Sequence, residues 1–171
     1  ARDGVLKANA VPGMGKRELE RRIRTGDLEP GSKLNEAVLA KSLGVSRGAV
    51  REAFRALEES GLVRLEKNRG VYVRQIPIEE ADDIYELRAV LDDFVGRRVA
   101  ATASPEAVRA LRGDVARMEK ATARHDVDAY LTANLEFHER LVMLAGNAKL
   151  LLTYRRLANE LRLFRRATLA Q

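Results

Sequence analysis

Residues 43–54 read LGVSRGAVREAF, and two periodicities run through them out of phase. Arg47 and Arg51, with Arg55 just beyond, recur at i, i+4 and i+8. Val50, Ala53, Phe54 and Leu57 fall at i, i+3, i+4 and i+7. On a helix these two sets occupy different faces. Ser46 precedes them as an N-cap residue, and Gly61 stops the pattern just after Ser60. The stretch therefore predicts a helix anchored along one side, with a row of guanidinium groups on the other.

The neighbouring segments set that helix in a motif. Residues 14–25, MGKRELERRIRT, predict a charged amphipathic helix with Leu19 and Ile23 inward and Gly26 at its end. DLEPGSKL (27–34) reads as a turn around Pro30-Gly31. Asn35 caps a short helix that points Leu39, Ala40 and Leu43 inward and ends at Gly44. After the arginine-bearing helix, LVRLE (62–66) and VYVRQ (71–75) alternate around KNRG, which predicts a β-hairpin with Asn68 and Gly70 in its turn. Three helices and a hairpin make a winged helix-turn-helix domain over residues 1–75.

Charge supports the same division. Residues 1–78 hold 16 Lys and Arg against 10 Asp and Glu, whereas residues 79–171 hold 15 of each. The whole excess of +6 lies in the first half, as expected of a polyanion-binding head joined to a neutral body. The chain has no cysteine, so disulfides and cysteine-ligated zinc are excluded and a reducing cytoplasm is the natural setting. No apolar run approaches the roughly 18–20 residues that span a bilayer, and residues 1–15 lack the apolar core of a signal peptide.

Residues 79–171 read as an all-α antiparallel helical bundle. The first helix, 79–103, starts with Glu79, Glu80, Asp82 and Asp83 and carries Arg97 and Arg98 late, complementing its dipole. Ser104-Pro105, Asp126 and Asn147 open three more helices. The third helix contains the suggestive spacing of the second half: Asn134 and His138 lie four apart, on one face with Tyr130 and Leu141.

In the winged domain, Arg47, Arg51 and Arg55 face outward at the start of the second helix of the helix-turn-helix, where a major groove is read. Arginine donates two hydrogen bonds to guanine O6 and N7, or clamps a phosphate. Ser46, Gly48 and the free amides of that helix N-terminus suit a phosphate oxygen. Lys67, Arg69 and Gly70 of the wing face the backbone or minor groove.

Enzyme chemistry finds no foothold. There is no Gly-x-Ser-x-Gly elbow. PGMGKR (12–17) lacks the earlier glycine of a phosphate loop and follows Lys16 with Arg17. The alternative from another class is a nonspecific nucleic-acid-binding architectural or helical interaction protein.

The run Gly26-x-Leu28-x-Pro30-Gly31-x-x-Leu34-x-Glu36-x-x-Leu39-Ala40-x-x-Leu43-Gly44-Val45-Ser46-Arg47-x-x-Val50-Arg51-Glu52-Ala53 resembles the GntR family of bacterial transcription regulators. Leu57-Glu58, Gly61-Leu62-Val63 and Gly70-Val71-x-Val73 continue the resemblance. It implies a winged helix-turn-helix, a homodimer, and binding to a pseudo-palindromic double-stranded operator, with Arg47, Arg51 and Gly70 at DNA-contacting positions. Gly48 and Ala49 stand where the family usually has Thr or Pro, so no hydroxyl is offered to phosphate or base at these two positions.

Arg88-x-x-x-Asp92, Asn134-x-x-Phe137-His138 and Ala145-Gly146-Asn147 resemble the FadR-like C-terminal domain of those regulators. That resemblance implies a small organic acid effector, with Arg88, Asn134 and His138 as effector-binding residues. It also implies a divalent metal (zinc, nickel or manganese) in the intact protein, with Asn134 and His138 at its first two ligand positions. Asn134 replaces the commoner Asp, and the two further histidines are expected beyond Gln171, so metal is not expected on this chain alone.

Overall fold

The computed structural model describes residues 13–169. Residues 1–12, which hold most of the stretch read against a signal peptide, the proline of PGMGKR and the start of the expected 1–75 domain, lie outside the described residues, as do 170–171. Helices α1 (Met14–Thr25), α2 (Glu36–Leu43) and α3 (Arg47–Glu59) come first, with strand β1 (Lys33–Leu34) between α1 and α2. Strands β2 (Val63–Glu66) and β3 (Gly70–Val73) follow. Helices α4 (Ile78–Thr102), α5 (Pro105–Ala123), α6 (Val127–Leu144) and α7 (Ala148–Leu169) complete the described chain. The fold is mostly α, with a winged helix-turn-helix ahead of an all-helical region.

Five of the described helices, α2, α3, α5, α6 and α7, start at a capping side chain. Asn35 Oδ1 accepts from the amides of Ala37 and Val38 at 3.0 and 3.1 Å. The Ser46, Ser104 and Asp126 side chains each accept from the amide three residues on, at 3.1, 3.2 and 2.9 Å. Asn147 does the same for Leu150 at 3.1 Å. These bonds satisfy amides that a helix N-terminus otherwise leaves unpaired. One expectation needs correction. DLEPGSKL is more than a turn: its last residues, Lys33 and Leu34, pair antiparallel with Tyr72 and Val71, so the wing hairpin gains a third strand in the order β1-β3-β2. Two residues are too short for an alternation to show in sequence.

The chain divides into two compact units. Among the described residues, the first comprises those up to 83 together with those from 156 onward, and the second residues 84–155. The region expected as one domain, 79–171, thus gives its final residues to the first unit. In the first unit, α3 packs on α1 and α2. Val50, Ala53, Phe54 and Leu57 are buried there, as are Leu19 and Ile23 of α1. Burying a side chain of this size contributes about 1.5–3 kcal/mol, which fixes α3 by its apolar stripe. In the second unit, Val95, Val99, Val142, Ala145, Leu150 and Tyr154 form the core. Asp114 on α5 is also buried, accepting from Arg140 Nε and Arg117 Nη2 at 2.6 Å each, so α5 and α6 are tied by a paired charge. The Arg140 hydrogen bond holds the Asp114 carboxyl below the usual carboxylate range against the opposing effect of burial. Among the described residues, no helix is long and apolar enough to cross a membrane.

Candidate nucleic-acid interface and ligand site

The arginine row lies as its periodicity requires. With Val50, Phe54 and Leu57 inward, Arg47, Gly48, Ala49, Arg51 and Arg55 are all exposed. Ser46 is exposed too, its hydroxyl engaged by the Ala49 amide. Arg55 Nη1 donates to Glu52 at 2.9 Å, a pair within one helix turn. Arg51 is held differently: its Nε lies 3.1 Å from Glu36 Oε2, a carboxylate on α2. Glu36 is a neighbour that the reading of the arginine row missed. The motif contains it, but nothing in its spacing says which cation it meets.

The wing adds a second basic group. Lys67 and Arg69 are exposed at its tip, and Asn68 adopts a left-handed φ of 62° that closes the turn. Gly70 has φ 119°, and a Cβ there would stand 2.9 Å from Lys33 Cε, so the lysine stem lies against the glycine. Lys33, Tyr72 and Arg64 face one another directly across β1, β3 and β2. Both cations approach the tyrosine ring, each 5.8 Å from its centroid. Exposed cations on the first turns of α3 and on the wing suit the oxygens and base edges of a duplex.

In the second unit the sequence-expected residues separate. Arg88 of α4 and His138 of α6 meet at the hydroxyl of Tyr154 on α7. Arg88 Nη2 donates to that oxygen, and His138 Nδ1 lies 3.3 Å from it. The Arg88 guanidinium carbon also lies 4.8 Å from the Tyr154 ring centroid. Burial pushes the Tyr154 hydroxyl up from its ordinary value, the nearby Arg88 charge opposes this, and the Asp92 carboxylate adds to it. The phenol therefore stays protonated near neutrality. Arg88 Nε is buried with no acceptor, an N–H that an anionic oxygen would satisfy.

Asn134 does not join this group. Its amide points to Met118 Sδ at 3.7 Å, across to α5. Met118 lines a shallow depression of about 420 Å³ with Val115, Thr122 and Tyr130, and neither Arg88, His138 nor Tyr154 borders it. Tyr154 was not read as a site residue. The signal was present in an aromatic with a polar tip four residues after Leu150, on a stripe otherwise apolar.

A metal does not fit these residues. Among the described residues, no three His, Cys, Asp or Glu side chains come together as ligands. Asn134 and His138, the two resemblance-derived positions, turn to Met118 and Tyr154 respectively.

Comparison with known proteins accords with this geometry. Residues 16–73 match the model for bacterial regulatory proteins of the gntR family, and residues 83–171 match the FCD domain. The chain is 34% identical over 134 residues to the uncharacterized HTH-type transcriptional regulator YdhC of Bacillus subtilis (strain 168), covering 78% of this chain and 60% of that protein. It is 31% identical over 140 residues to the gluconate operon transcriptional repressor of Bacillus licheniformis, covering 82% of this chain and 57% of the repressor. The crystal structure of a transcriptional regulator GntR from Rhodococcus sp. RHA1 is similar with a TM-score of 0.68 and 32% identity, covering 86% of this chain and 70% of that one. The chain thus spans about three fifths of the length of these two curated relatives.

Proposed function

From the premise that the chain belongs to the gntR family of bacterial transcriptional regulators and carries an FCD domain, we propose that it binds a pseudo-palindromic operator as a homodimer and is switched by a small organic acid. The observation that carries this reading is the exposed row Arg47, Arg51 and Arg55 on a helix whose other face is buried. It stands at a capped N-terminus beside a basic wing. Ser46, Gly48 and the start of α3 take a phosphate, Arg47 and Arg51 read base edges, and Lys67, Arg69 and Gly70 follow the backbone or minor groove. Arg55, two turns into the helix, makes a phosphate contact.

The effector reading rests on Arg88. Its buried Nε–H without an acceptor favours a carboxylate, with His138 and the protonated Tyr154 hydroxyl as further partners. Asn134 serves such an effector only if its amide leaves Met118. A divalent metal in the intact protein would need ligands besides Asn134 and His138, and no step here passes through one. A cytoplasmic location follows from the same reading, since an operator is found there.

Site selection from a randomised duplex library tests the proposal. The expected result is a short inverted repeat with fixed spacing, preferred over random DNA by about 10³-fold or more. Arg51→Ala should then weaken operator binding by about 1–3 kcal/mol and random-duplex binding by less. Retention without a consensus would leave a nonspecific architectural binder.

A further inference from the structure

Three cations of the proposed DNA surface are held by carboxylates, and they are not held alike. Arg55 pairs with Glu52 three residues away on its own helix, both side chains largely exposed. Arg69 pairs with Glu66, also three residues away, across the wing turn. Arg51 alone is braced from a different helix: Glu36 stands at the first position of α2, immediately after the Asn35 cap.

That position is rigid. The Asn35 side chain accepts from two amides of the first α2 turn, and Leu39 and Ala40 are buried on the same helix. The Glu36 backbone is therefore fixed by a cap on one side and by core packing on the other. Arg51 starts from an equally fixed point, since it follows the fully buried Val50. The long arginine side chain is the one adaptable part of this arrangement, and left alone it would sample many rotamers. The carboxylate reaches it at Nε, the nitrogen nearest the stem. A carboxylate seated there limits the guanidinium's rotation without having to occupy both terminal nitrogens, the edge that a guanine O6/N7 pair takes.

An exposed ion pair contributes little to folding, and an anion beside a phosphate-binding surface weakens attraction to any DNA. A carboxylate in the first turn of α2 favours that helix's dipole without any reach toward Arg51, so neither folding nor affinity accounts for the contact with Arg51. Orientation does. Resting on the reading of the chain as an operator-binding regulator, we infer that Glu36 is a positioning residue for base recognition: its carboxylate, reaching from α2, holds the Arg51 guanidinium in the orientation in which it meets a base edge. Ordering the side chain before contact removes an entropic cost that would otherwise fall on the specific complex. Glu36 thus trades general affinity for discrimination.

The full chain would be titrated with its selected operator duplex and with a random duplex at one salt concentration, as wild type, Glu36→Asp and Glu36→Gln. Glu36→Asp keeps the charge and the acidic first turn but withdraws the carboxylate by one methylene. The expected result is a fall in the operator-to-random ratio of about tenfold, within the range of one base contact, with random-duplex affinity unchanged. Glu36→Gln should lower the ratio while tightening binding to the random duplex, because a negative charge has left a polyanion's site. Neither substitution should lower the ratio further in an Arg51→Ala background.

An unchanged ratio in Glu36→Asp, with Glu36→Gln tightening both duplexes equally, would reduce Glu36 to a surface charge and overturn the inference. So would an equal loss in the Arg51→Ala background. If wild-type protein shows no operator preference, the regulator reading falls and this inference falls with it. A wild-type preference that depends on Arg51 but not on Glu36 defeats this inference alone. Thermal melts confirm folding, and Glu36→Asp decides should Glu36→Gln fail to fold.

Discussion

Helix α3 and the last turns of α7 both dock within the first compact unit, and they differ in what accompanies their apolar contacts. Helix α3 uses apolar contact: Val50, Ala53, Phe54 and Leu57 are buried, and its polar groups face out. The end of α7 also buries Leu157, Leu161 and Leu163, but its distinctive contacts are polar and made at the ends of other helices. Asn159 Nδ2 donates to the Ser60 carbonyl at 3.0 Å, where α3 terminates. Arg166 donates to the carbonyls of Arg24 and Thr25, where α1 terminates. Glu160, 5% exposed, accepts from both Arg74 and Arg156. The last carbonyls of a helix have no partner within it, so two helix ends provide ready acceptors for an approaching side chain. Glycine makes the approach possible: a Cβ on Gly61, whose φ is 76°, would stand 2.8 Å from Glu160 Oε1.

Removing the larger of the two fully buried residues of the apolar dock should have the largest effect. Leu57 is 0% exposed, and Leu57→Ala should destabilise the first unit by about 2–5 kcal/mol. Urea unfolding followed by circular dichroism would show it as a lower midpoint at constant slope. The proposed operator binding should fail only at temperatures where the variant unfolds, because none of the groups proposed to face DNA has changed. A loss below about 1 kcal/mol would mean that α3 is held by something other than its stripe.

Glu160→Gln tests the polar dock. Its carboxylate neutralises Arg74, whose other partner is Glu80. Breaking a buried pair by removing one member costs about 3–5 kcal/mol, and the remaining Glu80 contact points to the lower end of that range, about 3 kcal/mol. Such a loss, on the same urea measurement, would give a polar contact a weight comparable to Leu57. A change under about 1 kcal/mol would assign the docking to Leu157, Leu161 and Leu163, and the two regions would then differ in appearance only.

The same contrast explains what the sequence made legible. The winged domain was readable because its determinants are local: caps at Asn35 and Ser46, stops at Gly44 and Gly61, and an apolar phase within eight residues. The helices of the second half were readable from Ser104-Pro105, Asp126 and Asn147 for the same reason. The partners Asn159 and Ser60 are 99 residues apart, and Arg166 and Arg24 are 142 apart. No periodicity relates such pairs, so residues 156–169 read as part of the helical domain although they group with the first unit. The candidate ligand site divides the same way. Arg88 and His138 come from short motifs, whereas Tyr154, which joins them, lies 66 residues beyond Arg88 and 16 beyond His138. Asn134 and His138 share a helix face, yet their side chains turn to different helices, α5 and α7.

The smallest expected effect sharpens the comparison most, because it isolates one cap. Arg166→Ala removes a partly exposed guanidinium from the C-terminus of α1, where a cation interacts favourably with the helix dipole and the last carbonyls. Such a contact is worth about 0.3–1 kcal/mol, so the urea midpoint should move only slightly. Gly26 supplies the control. Its φ is 87°, and an added Cβ would overlap the Arg166 guanidinium. Gly26→Ala in the wild type therefore carries two costs, the left-handed backbone strain and the displacement of Arg166. In the Arg166→Ala background only the strain remains, about 1–2 kcal/mol. The two substitutions should accordingly be less than additive, by the amount that Arg166 alone contributes. Strict additivity would show that the guanidinium swings aside without loss, leaving Asn159 and Glu160 as the contacts that hold the end of α7 in place.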